Sequence, residues 1–217
     1  MAEAITGRAL LLDMDGTLVN SHAVVERVWR DWSIENGLDP VEVLPRIHGR
    51  QAHATMAILL PGRPHELNLA DNARLLAIEQ TDLDGIVPIP GAADLLDAIA
   101  DVPHALATSA PVPLARARMG AAGLPVPSVT VTAEDVRFSK PDPECFLLAA
   151  SRLGAAPEDC VVFEDSEAGI AAARAAGMAV VGVGGPAAAC DPDLAVPDLT
   201  SIHLEVVSDG SFVLTLV

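Results

Sequence analysis

The sequence predicts an α/β protein in which helices cover both faces of a parallel sheet and an all-helical unit is inserted after the first strand. Three observations lead to this fold class. Short apolar runs alternate with segments of helical spacing along most of the 217 residues, which is typical of βαβ units. The apolar runs are continuous, as in strands buried on both faces. From about residue 21 to residue 85 no strand pattern interrupts the helical spacing.

The first predicted strand, Ala9–Met14, has Asp13 near its end. Asp15, Gly16 and Thr17 follow it directly. In open α/β sheets the carboxyl edge of the strands is where ligands bind. Two carboxylates held close together repel each other, so they need a nearby cation or a shared proton. We therefore expect other parts of the chain to bring positive charge to this edge.

The inserted unit is predicted to contain only helices, over Ser21–Asn36, Glu42–Ile47, Gln51–Leu60 and Pro64–Glu79. Trp29 and Trp32 lie at helical spacing with valines, so we expect them in the core and not on a ligand-binding surface. Gly37 and Pro40 follow the first helix as stop signals. We assign 20–85 to this unit and 1–19 together with 86–217 to the parallel-sheet domain.

After residue 86 strands and helices alternate. The predicted helices are Ala92–Ala100, Pro113–Ala122, Pro143–Leu153 and Ser166–Ala176, and the predicted strands are His104–Thr108, Ser128–Thr132, Cys160–Phe163 and Met178–Val183. The glycines of 182–185 lack the spacing of a dinucleotide-binding turn, so we predict a plain loop there. Leu204–Val207 and Phe212–Leu216 flank a turn and predict an antiparallel pair at one edge of the sheet.

Composition excludes several classes of function. The net charge is −17 and the chain has no basic stripe, which argues against nucleic-acid and anionic-membrane partners. The cysteines, Cys145, Cys160 and Cys190, match no zinc pattern, and the histidines His48 and His53 do not pair at i, i+4. With no signal peptide or membrane-length apolar run, we expect a cytoplasmic protein with reduced, buried thiols, monomeric or weakly dimeric.

Polar residues end three of the predicted parallel strands, and they should meet at one edge. Thr108 and Ser109 end one strand, and Glu164 and Asp165 end another. Carboxylates gathered there would form a hard-oxygen site, which suits Mg²⁺. Lys140, the only lysine in the chain, precedes a helix and would supply an ammonium for substrate phosphate. The pattern therefore favours phosphoryl transfer, with one aspartate as nucleophile and another as acid and base.

These residues resemble the four motifs of the haloacid dehalogenase-like hydrolases, in the same order and over essentially the whole chain. The motifs are Asp13-Met14-Asp15-Gly16-Thr17, Thr108-Ser109, Lys140-Pro141-Asp142-Pro143 and Glu164-Asp165-Ser166. The resemblance implies a Rossmann-like, three-layer core, and the inserted unit 20–85 resembles the family's helical cap; we call it the cap. The segments 47–50 and 131–136 resemble the sugar-phosphatase and glycerol-phosphatase branch most.

The resemblance also implies roles. Asp13 would be the nucleophile that forms an aspartyl-phosphate, and Asp15 the general acid and base. Asp13, the backbone carbonyl of Asp15, and Asp165 would hold Mg²⁺, with Glu164 bound directly or one shell further out. Thr108, Ser109 and Lys140 would bind the phosphoryl group of a small phosphorylated metabolite.

Three residues at the cap would contact the substrate by the same resemblance: Asn20, Gly49 and Arg50. Asn20 stands where the family often has aspartate, and Arg50 could equally be a salt-bridge partner within the cap. Mutases of the superfamily usually carry a histidine on the first cap helix, where this chain has Val25, although His22 lies nearby.

The sequence therefore predicts a magnesium-dependent phosphatase of sugar, polyol or glycerol phosphates. The alternative is a sugar-phosphate mutase of the β-phosphoglucomutase type. A third reading, a non-catalytic phosphate-binding module, is disfavoured because binding alone does not require a nucleophile beside an acid.

Overall fold

The computed structural model describes residues 4–216. Its strands are β1 Ala4–Gly7, β2 Ala9–Leu12, β3 Val19–Asn20, β4 Val87–Pro88, β5 His104–Ala107, β6 Val129–Val131, β7 Cys160–Glu164, β8 Ala179–Val183, β9 Leu194–Val196, β10 Ile202–Val206 and β11 Phe212–Leu216. Its helices are α1 His22–Glu35, α2 Pro40–Val43, α3 Ala52–Leu59, α4 His65–Glu79, α5 Ala92–Ala98, α6 Val112–Ala121, α7 Glu144–Leu153, α8 Glu167–Ala175 and α9 Gly184–Ala188.

A six-stranded parallel sheet forms the centre of the fold, in the order β6-β5-β2-β7-β8-β9. Every residue of β2 and β7 is buried. Leu10 and Leu12 pack into a core on one face of the sheet, while Leu11 and Val162 pack into a second core on the other face. This double burial explains the continuous apolar runs, and the predicted α/β fold class is confirmed.

The cap contains helices α1 to α4. The chain enters it through β3 and leaves it through β4, and these two short strands pair antiparallel, with Val19 opposite Pro88 and Asn20 opposite Val87. Trp29 and Trp32 are buried in its core and pack edge to face, with ring centroids 5.2 Å apart. The expectation that both tryptophans are core residues is right for Trp32, whereas Trp29 is buried but also lines the cavity beneath the cap. The domain bounds 20–85 stay a prediction.

The carboxyl-terminal hairpin forms as predicted, but not at the edge of the parallel sheet. Strands β10 and β11 belong to a separate three-stranded antiparallel sheet in the order β1-β11-β10. The prediction missed β1 because this four-residue strand is defined by its pairing with β11, about 200 residues further along, with Ala4 opposite Thr215. The sequence reading also missed β9.

The segment after β8 is another correction. Residues 184–188 form the short helix α9 and not a plain loop. All three cysteines are free; Cys145 and Cys160 are buried as expected, but Cys190 is half-exposed. None of the helices within residues 4–216 combines the length and the apolar character needed to cross a bilayer.

Packing at Gly7 provides a test of the small sheet. A Cβ atom at Gly7 would lie 2.7 Å from both Phe212 Cζ and Val161 Cγ2. We expect Gly7→Ala to lower the free energy of unfolding by about 1–3 kcal/mol through overpacking, measured by urea denaturation. Gly120→Ala on α6 is the matched control, because its Cβ meets no atom within 4 Å, and it should raise stability by about 0.5–1 kcal/mol. Equal stabilities of the two variants would contradict the packing described here.

Candidate active site

The carboxyl ends of three adjacent strands bring the predicted polar residues together. Strand β2 lies between β5 and β7, so Asp13, Thr108 and Glu164 share one edge of the sheet. The Asp13 N–H donates to the carbonyl of Phe163 at 3.0 Å, which extends the ladder one residue past β2. The position of the Asp13 backbone is therefore fixed by the sheet and does not depend on its side-chain contacts.

Lys140 lies at the centre of this edge and is buried. Its Nζ donates to Asp13 Oδ1 at 2.7 Å, to Glu164 Oε1 at 2.6 Å and to the carbonyl of Ala107 at 3.2 Å. An ammonium group has three donors, and all three are used. The predicted pairing of Lys140 with Asp13 is present, and Glu164 is a second carboxylate partner.

Burial and charge shift the pKa values of this cluster. Burial raises the pKa of Asp13 to about 8, with Lys140 opposing the rise and Glu164 adding to it. Burial also raises the pKa of Asp165 well above its usual range, helped by the Glu164 and Asp13 carboxylates. For Lys140 burial alone would lower the pKa, but Asp13 and Glu164 outweigh it and raise it. The lysine stays cationic, and the aspartates require more positive charge than it supplies.

The acidic cluster fits a divalent cation. Asp13, Glu164 and Asp165 each offer a carboxylate oxygen, and these atoms lie within 4.8 Å of one another. When all three are ionised, the single ammonium leaves two negative charges uncompensated. Asp165 Oδ1 is buried and has no hydrogen-bond partner among residues 4–216, which a bound cation would correct. Carboxylate oxygens are ligands that hard divalent cations prefer.

Glu164 differs from Asp13 and Asp165 because both of its carboxylate oxygens already accept hydrogen bonds from protein groups. Oε1 accepts from Lys140 at 2.6 Å, and Oε2 accepts from both the N–H and the hydroxyl of Ser166 at 2.9 Å. Glu164 therefore anchors Lys140 and the start of α8. Asp13 and Asp165 are left as the carboxylates with oxygens available to a cation.

The turn after Asp13 approaches Asp165 closely at Gly16. Gly16 has φ +84°, and a Cβ atom there would lie 1.9 Å from Asp165 Oδ2. Both the backbone conformation and the close approach require glycine at this position. The glycine of the first motif thus allows the two acidic loops to meet.

Asp15 has different partners from Asp13. Its Oδ1 accepts from the hydroxyl of Ser21 at 2.7 Å, and its Oδ2 accepts from Arg118 Nη1 at 2.7 Å. Arg118 Nη2 also donates to Glu79 Oε2 at 2.9 Å. One buried guanidinium therefore joins Asp15 of the sheet domain to Glu79, the last residue of α4 in the cap.

Sequence reasoning missed Ser21, Glu79 and Arg118. A signal for Arg118 was present, because it lies four residues after Leu114 and beside Met119, on the buried face of α6. A charged residue at an apolar position of a helix requires a buried partner. Glu79 gave no comparable signal, since its partner Arg118 is 39 residues away; Ser21 is only six residues from Asp15, but it begins the cap and a serine before a helix is an ordinary capping residue.

The predicted phosphate-binding residues, Thr108 and Ser109, lie at the carboxyl end of β5. The Thr108 Oγ1 accepts from the N–H of Ala110 at 3.1 Å, and the Ser109 hydroxyl donates to the carbonyl of Gly49 at 2.9 Å. The second contact joins the sheet domain to the cap. Arg50 follows Gly49, and its Nε is buried without a partner among the described residues.

A cavity between the cap and the sheet edge collects most of these side chains. Its lining includes Asp13, Asp15, Thr108, Ser109 and Arg118 from the sheet domain, and His22, Val25, Trp29, His48, Gly49, Arg50 and Glu79 from the cap. The lining does not include Asn20, whose Oδ1 accepts from the N–H of His22 at 3.2 Å. Its predicted substrate contact stays a prediction, and in this structure its side chain accepts a hydrogen bond from the first residue of α1.

Fold and site together define a class of enzyme. It has a Rossmann-like parallel sheet, an inserted helical cap, and buried carboxylates with one lysine at the carboxyl edge of the sheet. The chain belongs to the haloacid dehalogenase-like hydrolases, whose family model matches residues 8–177. The resemblance drawn from the four motifs is therefore confirmed.

Two relatives and one solved structure show which members of this family the chain is similar to. It is 44% identical over 203 residues to Hexitol phosphatase A of Escherichia coli (strain K12), covering 93% of each chain. It is 34% identical to Fructose-1-phosphate phosphatase YqaB of the same organism, over 80% of this chain and 95% of the relative. These relatives are named phosphatases, and the prediction of a phosphoric monoester hydrolase is confirmed. The fold also resembles β-phosphoglucomutase from Clostridium difficile, with TM-score 0.80, 21% identity and coverage of 94% and 96%.

Glu79 gives the cap a pH-dependent contribution to stability. Burial raises the pKa of Glu79 to about 7 from an ordinary 4.5, with Arg118 opposing and Asp15 adding to the rise. Between these values the folded state keeps a proton that the unfolded state has released, so the free energy of unfolding falls as the pH rises. Glu79→Gln removes this effect. We expect the free energy of unfolding of the wild type, relative to that of Glu79→Gln, to fall by up to about 3 kcal/mol between pH 4.5 and pH 7.

Urea denaturation of both proteins at several pH values measures this difference. Glu66→Gln, at an exposed position in the same helix, is the control and should follow the wild type. A difference between wild type and Glu79→Gln that stays constant over this range would contradict the raised pKa.

Proposed function

We propose that the chain is a Mg²⁺-dependent phosphatase that hydrolyses the monophosphate esters of hexitols and related neutral polyols. The cluster of Lys140 with three buried carboxylates at the sheet edge carries the proposal for the chemistry. For the substrate, support comes from the identity to a hexitol phosphatase over nearly the whole chain and from the cavity beneath the cap, which joins cap side chains to the polar residues of the sheet edge.

Asp13 is the nucleophile. Lys140 holds its Oδ1 at 2.7 Å, which leaves Oδ2 as the attacking oxygen. Oδ2 forms a bond to phosphorus while the bond from phosphorus to the ester oxygen breaks, giving an aspartyl-phosphate and the alcohol. Water then attacks the same phosphorus, so that inorganic phosphate leaves and the Asp13 carboxylate is restored.

Mg²⁺ would be held by Asp13, Asp165 and the backbone carbonyl of Asp15, with Glu164 behind them as the anchor of Lys140. When bound, it neutralises charge on the phosphoryl oxygens and keeps Asp13 ionised. Lys140 would support the same two effects through its contact with Asp13 Oδ1. The Asp13 carboxylate is thereby kept ionised, which is the form that can attack phosphorus.

Asp15 carries the proton. In the first step it protonates the leaving alkoxide oxygen, and in the second it takes a proton from the attacking water. It faces the cavity where the ester oxygen would lie, and it is two residues from the nucleophile. The Thr108 hydroxyl and the Ser109 backbone bind the remaining phosphoryl oxygens, and Lys140 acts on them through its charge, because its three donors are engaged by Asp13, Glu164 and Ala107.

The alcohol part of the substrate lies among cap residues. His22 and His48 line the cavity with ring centroids 5.0 Å apart. Burial lowers the pKa of His48, and the neighbouring His22 lowers it further, so its imidazole is neutral near pH 7 and can both donate to and accept from hydroxyls. A neutral imidazole suits the hydroxyls of a polyol, and among the described residues Arg50 is the one cap arginine in the cavity lining that could face a second phosphate.

Asp13→Asn tests the nucleophile. The amide cannot form the aspartyl-phosphate, so we expect phosphate release from a hexitol monophosphate to fall by at least about 10³-fold with the fold retained. Asp101→Asn, at an exposed position in the sheet domain, is the control and should keep full activity. Activity of Asp13→Asn within tenfold of the wild type, on every ester tried, would overturn the mechanism.

A substrate panel tests the substrate class and separates it from the mutase alternative. We expect the highest kcat/KM for hexitol monophosphates, lower values for aldose and glycerol phosphates, and stoichiometric release of phosphate. A bisphosphorylated sugar should be a poor substrate. Formation of an isomeric sugar phosphate without phosphate release would instead establish a mutase.

The cation requirement is tested by chelation. Activity should be lost on treatment with a chelator and return with added Mg²⁺. Asp165→Asn removes a ligand charge, so the Mg²⁺ concentration for half-maximal activity should rise by about tenfold or more. Asp101→Asn, exposed and outside the acidic cluster, should leave it unchanged. Full activity after chelation would contradict the proposed cofactor.

A further inference from the structure

Arg118 connects Asp15 to the cap. It lies on α6 in the sheet domain and is 3% exposed. Nη1 donates to Asp15 Oδ2 at 2.7 Å and Nη2 donates to Glu79 Oε2 at 2.9 Å. Neither Arg118 nor Glu79 belongs to the four motifs, and neither contacts Asp13.

We propose that Arg118 is a positioning residue that orients the Asp15 carboxyl for proton transfer, and that Glu79 holds Arg118 in this orientation when the cap is closed. This inference rests on the proposed function, because it assigns a role in the proton step of that reaction.

The geometry of the guanidinium supports this role. Arginine presents its donors in a rigid plane, so fixing one terminal nitrogen also fixes the direction of the other. Glu79 fixes Nη2, and Nη1 is then aimed at Asp15 Oδ2. Ser21 holds the other oxygen of Asp15 at 2.7 Å. The carboxyl group is therefore held at both oxygens, which restricts its rotation toward or away from the ester oxygen.

The position of Glu79 links this restraint to the cap. Asp15 and Arg118 both belong to the sheet domain, whereas Glu79 ends α4 of the cap. When Glu79 is withdrawn, Nη2 loses its partner and the guanidinium can turn to pair with Asp15 through both nitrogens. That rotation would pull the Asp15 carboxyl out of its catalytic direction. The proton donor is then fully aligned only beneath a closed cap, where bulk water is excluded.

The experiment measures how strongly the rate depends on the leaving group. Phenyl phosphate and p-nitrophenyl phosphate are similar in size and carry no sugar hydroxyls, but phenoxide needs a proton far more than nitrophenoxide does. The ratio of their kcat/KM values therefore reports proton donation separately from substrate binding. Asp15→Asn provides the reference for complete loss of the proton donor.

We expect Arg118→Met to lower the phenyl to p-nitrophenyl ratio by about tenfold or more, toward the value of Asp15→Asn. Arg118→Lys should restore part of the ratio because it keeps a cation beside Asp15. Glu79→Ala should lower the ratio by about threefold or more. Arg116→Met is the matched control, since Arg116 is exposed on the same helix, and it should keep the wild-type ratio.

Loss of Arg118 alone leaves Glu79 buried without its partner, which could unfold the protein. The double variant Arg118→Met with Glu79→Met replaces the buried pair by apolar side chains and should remain folded. Its ratio should equal that of Arg118→Met, because both residues act through the same contact.

The outcomes separate this inference from the proposed function. A wild-type ratio in folded Arg118→Met or in the double variant, with an active wild-type enzyme, overturns the role of Arg118. A wild-type ratio in Glu79→Ala overturns the link to the cap. Absence of phosphate release by both the wild type and Arg116→Met, from every ester, overturns the proposed function itself.

Discussion

The charge balance at the carboxyl edge of the sheet is the constraint on which the rest of the structure depends. Three carboxylates lie within 4.8 Å of one another, and Lys140 is the ammonium that contacts two of them. Such a cluster is unfavourable in a dry interior unless each charge is paired. The sheet brings Asp13 and Glu164 together, and the loop before α7 inserts Lys140 between them. A divalent cation completes the balance, so the features that make the cluster unfavourable also make it able to bind a metal and a phosphate.

Five of the six strands of the parallel sheet were predictable because their signals are local: short runs of apolar or β-branched residues, bounded by turns. Strand β9 was missed, because it has only three residues and its middle one, Ala195, is exposed. The acidic and hydroxyl residues of the site could be assigned for the same reason, since they stand at strand ends such as Thr108 and Glu164. Strand β1 could not be predicted, because four residues gain their structure from a partner at the opposite end of the chain. The link from Asp15 through Arg118 to Glu79 was missed in the same way, because Arg118 is 103 residues from Asp15 and 39 from Glu79, and spacing along the chain does not reveal contacts of that kind.

The cap and the sheet domain divide the work of the site. In the proposed mechanism the sheet edge supplies the groups that act on phosphorus, and the cap supplies side chains around the alcohol. Hydrogen bonds join the two parts, as between Ser109 and Gly49 or between Arg118 and Glu79. Buried apolar side chains of the cap, such as Val28 and Leu75, also belong to the same hydrophobic cluster as Leu18 and Leu114 of the sheet domain. The interface therefore combines apolar packing with a few specific hydrogen bonds, and the site lies where both parts contribute to it.

The two aspartates of the first motif show how environment separates the roles of identical side chains. Asp13 is buried against Lys140 and the acidic cluster, and Asp15 lies two residues further on with a side chain 29% exposed and neutral and cationic donors on its two oxygens. In the proposed mechanism the nucleophile must stay ionised and fixed: Lys140 fixes Asp13 Oδ1, and a bound cation would complete the positive charge that keeps the carboxylate ionised. A proton carrier must reach both the ester oxygen and water, which requires partial exposure and an orientation set from outside the acidic cluster. Because Arg118 sets that orientation from α6, the proton step can be tied to the cap without disturbing the charge balance around Asp13.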